Sequence, residues 1–382
     1  MITLDDRLMA LRGLAAEFAT AIRPFGLELD GDPSAIHRRL DVPLVLKLGA
    51  LQVPPAYQTE PLVVGRYRFH LMTTLERVVF MMEAARGDLG FLLAAPGAPM
   101  AGAAVAMLGD EHQQEWFFSR VVSEPTWAFF ALSEPRGGSD ASGMRTRLTR
   151  DPDTDEFRLD GTKRYIGNGT RAQVGVAFAK RGRGGPLSAT AVLVNAGDPG
   201  FSAVPVPTLG LRGAQLSELT FDSVPIAPER VLGSHMPATR GGLWGWLRTF
   251  NLLRPVVAAM GVGVAQAAHD YVAEHRPGLP APLRDGLERL RLEIQSVRRL
   301  TLRAAAEADL DPSKGELSSA AKVRAAALAE EATRYAARCF GPGGLLDHPY
   351  LEKLLRDARG IEFMEGAGAI QRMSVFSAVP RP

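Results

Sequence analysis

Apolar and polar positions change their period twice along this chain. Up to about residue 123 the apolar residues recur at helical spacing, as in "HLMTTLERVVFMMEAARG" and "DEHQQEWFFSRVV". The opening "MITLDDRLMALRGLAAEFA" sets acids ahead of its apolar positions and reads as an amphipathic helix. The breaks "LQVPPAYQTEP" and "APGAPMAG" punctuate these helices. From about 124 to 235 the pattern becomes short strands between Gly, Pro, Asp and Asn clusters: "TWAFFAL", "EFRLDG", "VGVAFAK", "ATAVLVNA", "FSAVPVP" and "AQLSELTF". Beyond that the helical period returns. Leu287, Leu290, Ile294 and Val297 form the seam of a bundle helix, and the Ala-rich "SSAAKVRAAALAEEATRYAARCF" forms a second, close-packing one. The pattern predicts an α-helical domain over 1–123, a small β-barrel or sandwich over 124–235 and a helical bundle over 236–382.

Composition narrows the class. With 382 residues, 46% hydrophobic and 23% charged, the chain can bury a large core without disulfide or metal staples. Its single cysteine, Cys339, excludes an internal disulfide framework and fits a reducing cytoplasm; in an apolar segment it reads as a small core residue. The formal charge of +2 is dispersed, which argues against nucleic-acid partners. No apolar run is expected to reach transmembrane length, and a cytoplasmic location is expected.

Several chemistries are excluded by spacing. The seven histidines form no His-x-x-x-His or His-Glu-x-x-His pattern, so no metal is expected. "DEHQQE" reads as a solvated helix face. "GVGVAQ", around Gly261 and Gly263, follows no strand and reads as close helix packing rather than a dinucleotide loop. A Gly-x-Ser-x-Gly elbow is missing too.

What remains is a set of segments: "ALSEPRGGSD", "LDGTKRYIGNG", "LGLRGAQLSELTFDSVPIAPERVLG" and "RDARGIEFMEGAGAIQR". Glu365 in the last lies among small and apolar neighbours. A carboxylate in an apolar cleft has its pKa raised by desolvation, which suits a general base. Gly366 frees the backbone to present it.

In this order and spacing, over about residues 60–375, the segments resemble the acyl-CoA dehydrogenase family. The resemblance implies an α+β chain with an N-terminal α-helical domain, a central β-barrel and a C-terminal four-helix bundle. It implies FAD as cofactor, wrapped by the loop after "WAFFAL". Ala131, Leu132 and Ser133 then lie at the flavin ring, and Gly138 and Ser139 at its pyrophosphate. Tyr165, Ile166 and Gly167 lie along the ring, with Gly167 where the family commonly carries Ser or Thr. Arg276, Arg338 and Gly341 meet the flavin of a neighbouring subunit. Phe250, Asn251, Arg254 and Gly366 line the substrate channel.

By the same resemblance Glu365 abstracts the α-proton of an acyl thioester, and its backbone N–H helps polarise the thioester carbonyl. The β-hydrogen leaves as hydride to flavin N5. Electrons pass to an electron-transfer flavoprotein or to oxygen, in a homotetramer or dimer. The acyl group is carried by CoA or by an acyl or peptidyl carrier protein. Two other readings stay open: oxygen chemistry on an aromatic substrate with reduced flavin, and a non-catalytic partner subunit.

Overall fold

The computed structural model describes residues 2–58, 60–136, 143–182, 188–237 and 243–378. Helices α1 (Asp6–Ile22), α2 (Gly26–Gly31) and α3 (Val45–Ala50) open the chain. A hairpin follows, β1 (Leu62–Val64) and β2 (Tyr67–Phe69), which the period of the sequence does not predict. Then come α4 (Thr74–Gly87), α5 (Leu89–Ala94), α6 (Pro99–Leu108) and α7 (Glu111–Ser123). Their starts follow from side-chain capping: Asp5, Thr73, Asp88 and Asp110 each accept a backbone N–H two or three residues into the helix they precede. In α7 the cap is reciprocal, because Gln113 returns a bond to the Asp110 backbone. Gln113 is also buried and donates to the Glu229 and Val231 carbonyls, so this helix face is not wholly solvated.

The strands are β3 (Ala128–Ala131), β4 (Arg147–Arg150), β5 (Phe157–Ile166), β6 (Val174–Arg181), β7 (Ala189–Asn195), β8 (Phe201–Pro205), β9 (Ser217–Ile226) and β10 (Val231–Leu232). They form one sheet in the order β10-β7-β6-β4-β5-β9-β8, with β3 parallel to β6. The sheet curls so that Phe129 of β3 stacks on Phe201 of β8 at 5.6 Å between ring centroids. β6 is buried along most of its length, consistent with its run of small and apolar residues.

The remaining helices are α8 (Leu243–His275), α9 (Ala281–Leu310), α10 (Glu316–Phe340), α11 (Gly344–Asp347), α12 (Pro349–Ile361) and α13 (Gly368–Ala378). Helix α8 is central and packs on α4, α9 and α10. Close approach requires Gly261 and Gly263: a Cβ on the first would stand 2.7 Å from the Ala325 carbonyl of α10, and on the second 2.7 Å from the Met82 carbonyl of α4. The segment Arg248–His275 is long and apolar enough to cross a membrane, contrary to the reading of the sequence. Yet 89% of its most apolar window is buried inside the protein, so it serves as the core helix of the bundle. On α9, Leu290, Ile294 and Val297 are buried as the stripe predicts, and Leu287 packs partly buried beside them.

Candidate active site

The turn between α12 and α13 carries Glu365, and its backbone is strained. Glu365 has φ +48° and Gly366 φ +97°, both in the left-handed region. For a glutamate that conformation persists only where the surroundings enforce it. Here Gln371 of α13 donates from Nε2 to the Glu365 carbonyl at 3.1 Å, and Ser319 of α10 donates to Gln371 Oε1 at 2.8 Å. Lys322, one turn along α10, donates to the carbonyls of Glu362 at 2.5 Å and Gly366 at 2.9 Å.

Helix α8 supplies the opposite wall. Pro255 has no N–H, so the Asn251 carbonyl loses its helical donor, and the Ser318 hydroxyl takes that place at 3.0 Å. Arg254 donates to Asn251 Oδ1 at 2.7 Å and approaches the Glu365 carbonyl at 3.5 Å. The Phe250 ring meets Phe130 of β3 at 6.0 Å, which joins this wall to the sheet. Phe250, Asn251 and Arg254 are all buried.

Glu365 is half-buried, with Arg254 and Gln371 against its carbonyl and Lys322 bonded to the next one. Desolvation raises its pKa to about 7, against the opposing charges of Lys322 and Arg254. Desolvation likewise pulls the Lys322 ammonium down to about 8 and the Arg254 guanidinium to about 10. A carboxylate whose folded pKa is raised contributes stability below the ordinary carboxylate range and loses it as pH climbs toward 7. Glu365→Gln is therefore expected to stabilise the protein at pH 8, by roughly 1–3 kcal/mol, read from denaturant melts.

At the sheet edge, Leu132 and Ser133 follow β3 and their backbone is held by β5. Arg164 N donates to the Ser133 carbonyl at 2.9 Å and Lys163 Nζ to the Leu132 carbonyl at 2.9 Å. Glu134 completes the tie. Its carboxylate accepts from Arg145 N, Thr146 N and Thr146 Oγ1, and pairs with buried Lys163 at 3.0 Å. Desolvation works against the Glu134 charge, but the Thr146 bonds and the Lys163 charge outweigh it and lower its pKa; burial pulls Lys163 down to about 8. Neither Glu134 nor Lys163 stood out in the sequence, although inward alternation along β5 points Lys163 into the core.

The same alternation would bury Tyr165. A register shift between Arg164 and Ile166, with φ +63° at Tyr165, turns its ring outward instead, 58% exposed, while Ile166 is buried.

The structure thus brings Ala131–Ser133, Tyr165–Gly167, Phe250–Arg254 and Glu365–Gly366 into one connected region. Arg276 and Arg338 are not part of it. Both are exposed, Arg276 over the Phe340 ring and Arg338 over Tyr335, with Gly341 capping α10 beside them. Arg276 lies roughly 30 Å along the α8 axis from Arg254, so it cannot reach this chain's own Glu365 turn. Gly138 and Ser139 fall outside the described residues.

Residues 129–224 match the family model for the acyl-CoA dehydrogenase middle domain, and residues 241–379 match that for the acyl-CoA dehydrogenase C-terminal domain. The chain is 30% identical over 318 residues, 79% of each chain, to a probable acyl-CoA dehydrogenase, fadE25, of Mycobacterium leprae. This chain belongs to the acyl-CoA dehydrogenase family. That membership makes it a flavoprotein oxidoreductase acting on CH–CH groups. The fold is shared with butyryl-CoA dehydrogenase of Megasphaera elsdenii, TM-score 0.82 at 24% identity over 100% of both chains. It is shared too with the prolyl acyl carrier protein oxidase AnaB, TM-score 0.82 at 19% identity over 99% and 100%.

The residues at the sheet edge fit the family's flavin. Tyr165 is an exposed ring with the Arg164 guanidinium 5.5 Å from its centroid, and a Cβ on Gly167 would find only Leu216 Cδ2, at 4.0 Å. On the same turn Asn168 Oδ1 and Thr170 Oγ1 are buried without a hydrogen-bond partner among the described residues. Open space beside an exposed ring and orphaned polar atoms suits a planar group with a polar rim.

Proposed function

We propose that this protein dehydrogenates an acyl thioester between its α and β carbons, with FAD as cofactor. The observation that carries the reading is Glu365: a carboxylate on a strained turn, in a cleft next to the flavin-fitting edge, with its pKa raised to about 7. At neutral pH such a group is about half ionised and can take a proton that a fully solvated carboxylate would leave in place. Glu365 takes the α-proton, and its backbone N–H polarises the thioester carbonyl. FAD, where bound, would supply the two-electron acceptor for the β-hydrogen, so that removal of the α-proton by Glu365 could leave an α,β double bond.

The chain's own residues hold this arrangement. Ala131, Leu132 and Ser133 would hold FAD together with Tyr165, Ile166 and Gly167; Gly138 and Ser139, outside the described residues, are assigned to it by the resemblance alone. Phe250, Asn251, Arg254 and Gly366 line the thioester's path. The separation of Arg276, Arg338 and Gly341 from the Glu365 turn supports a flavin site completed by a second copy, hence a dimer or tetramer. The outward Tyr165 marks the side from which an electron-transfer flavoprotein or oxygen takes the electrons.

Anaerobic titration of the purified holoprotein with acyl-CoA thioesters of different chain length tests the reading. Bleaching of the visible flavin band by at least one of them is expected. A flavin that no CoA thioester reduces, but that carrier-tethered thioesters do, moves the substrate to a carrier protein. A flavin that neither class reduces overturns the reading.

A further inference from the structure

Helix α10 presents Ser319 and Lys322 to the turn that carries Glu365, and Lys322 is the more unusual of the two. Its side chain is fully buried, and among the described residues no carboxylate lies within ion-pair distance of its ammonium. A buried cation without a paired anion is costly unless its protons are all used. Lys322 spends two of them on backbone carbonyls that bracket the base, Glu362 O at 2.5 Å and Gly366 O at 2.9 Å. Between those anchors the chain passes through the left-handed conformation at both Glu365 and Gly366. The other face of the turn is held by Gln371, bonded to the Glu365 carbonyl and itself fixed by Ser319.

We infer that Lys322 is the positioning residue of the base. Its ammonium bridges the carbonyls on either side of Glu365, locks the strained turn that aims the carboxylate, and supplies a positive charge beside it that favours its ionised form. The inference rests on the proposed role of Glu365 and goes beyond it, because it assigns a second residue, on another helix, to the state of that carboxylate.

The charges that bear on the pair come from three elements besides α10. Glu362 and Glu365 face Lys322 from the turn, Arg254 from α8 and Arg372 from α13. Glu365 feels Lys322 and Arg254. Removing Lys322 leaves Glu365 the Arg254 charge without that of Lys322, so the carboxylate must hold its proton to higher pH.

The test uses the full-length holoprotein in two variants, Lys322→Met and Lys322→Gln. Either one that folds with flavin bound decides the matter. Protonation of Glu365 is followed by the infrared carboxyl band that Glu365→Gln removes. Its midpoint is expected to rise by about one pH unit in both variants, the direction set by loss of a nearby opposite charge. Amide hydrogen exchange in residues 362–368 is expected to quicken by about tenfold or more, as the turn loses its anchor. Where a thioester bleaches the wild type, the variants are expected to lose about tenfold or more in limiting rate at pH 7, with little change in the thioester concentration for half-saturation. The acid limb of the rate should move up together with the infrared midpoint.

A folded variant with a wild-type midpoint and wild-type exchange overturns the inference, as does wild-type exchange in both variants. The infrared and exchange readings need no turnover. If no thioester reduces the wild-type flavin, the dehydrogenase reading fails, and these two measurements still decide the role of Lys322.

Discussion

Glu365→Gln is expected to slow reduction of the flavin by its thioester by about 10²- to 10⁴-fold, while flavin content and fold stay as in the wild type. The amide keeps the shape of the side chain and the left-handed turn, but it cannot accept the α-proton. Lys322, Gln371 and Ser319 hold backbone and one another rather than the Glu365 carboxylate, so the change leaves their bonds in place. Two opposite consequences then follow from a single substitution. The variant loses rate, because the base is gone, and gains stability, because a carboxylate that burial had pushed to about 7 no longer ionises in the cleft at alkaline pH. A residue kept at a cost to stability is what a group selected for chemistry shows. Rapid-mixing absorbance at saturating thioester measures the first effect and a denaturant melt the second.

The largest loss of stability is expected at Lys353. Its ammonium is almost fully buried between Asp88, at 2.8 Å, and Asp357, at 2.5 Å. Desolvation works against the ammonium, but the two carboxylates outweigh it and raise its pKa. The cluster fastens parts that are distant in sequence. Asp88 caps α5 through Phe91 N, Asp357 belongs to α12, and Asp357 also accepts from Leu211 N at 2.6 Å, which anchors the loop leading into β9. Arg356 adds a bond to the Leu209 carbonyl at 2.8 Å and pairs with Asp30. Lys353→Met strands two buried carboxylates, and a loss of about 3–5 kcal/mol is expected from denaturant midpoints at pH 7. Asp357→Asn is expected to cost less. Burial raises the Asp357 pKa, so its ionisation costs stability as pH rises, and an amide oxygen can still accept from Leu211 N. Equal losses in the two variants would contradict this account of the cluster.

Much of this was legible in the chain. The change from helical spacing to short strands and back appears as α4 and α7, then β3 to β9, then α9 and α10, because burial on one face dictates each period. Gly261 and Gly263 were readable as packing glycines for want of a preceding strand. Glu365 was readable from its small and apolar neighbours together with the resemblance of its segment.

Other parts were silent for physical reasons. Lys322 and Gln371 act through backbone carbonyls of the turn between α12 and α13, and no local pattern records such a partner. The direction of Tyr165 depends on a one-residue bulge that reverses the period-two rule. β4 and β10 are too short to show an alternation, and their existence depends on the neighbours they pair with. Glu134 lies in "ALSEPRGGSD", a segment expected to wrap a ligand, but its carboxylate is bonded to Arg145 and Thr146 just ahead of β4 and to Lys163 of β5.

As the proposed base, Glu365 is poised near neutrality by desolvation. The most direct measurement is the pH dependence, from 5 to 9, of the rate at which a bleaching thioester reduces the flavin, with protium or deuterium at its α-carbon. The rate is expected to rise through an apparent pKa near 7 and to be slower with deuterium, with no such limb in Glu365→Gln. A Glu365→Gln variant that reduces its flavin at the wild-type rate, with the wild-type pH profile, would contradict it.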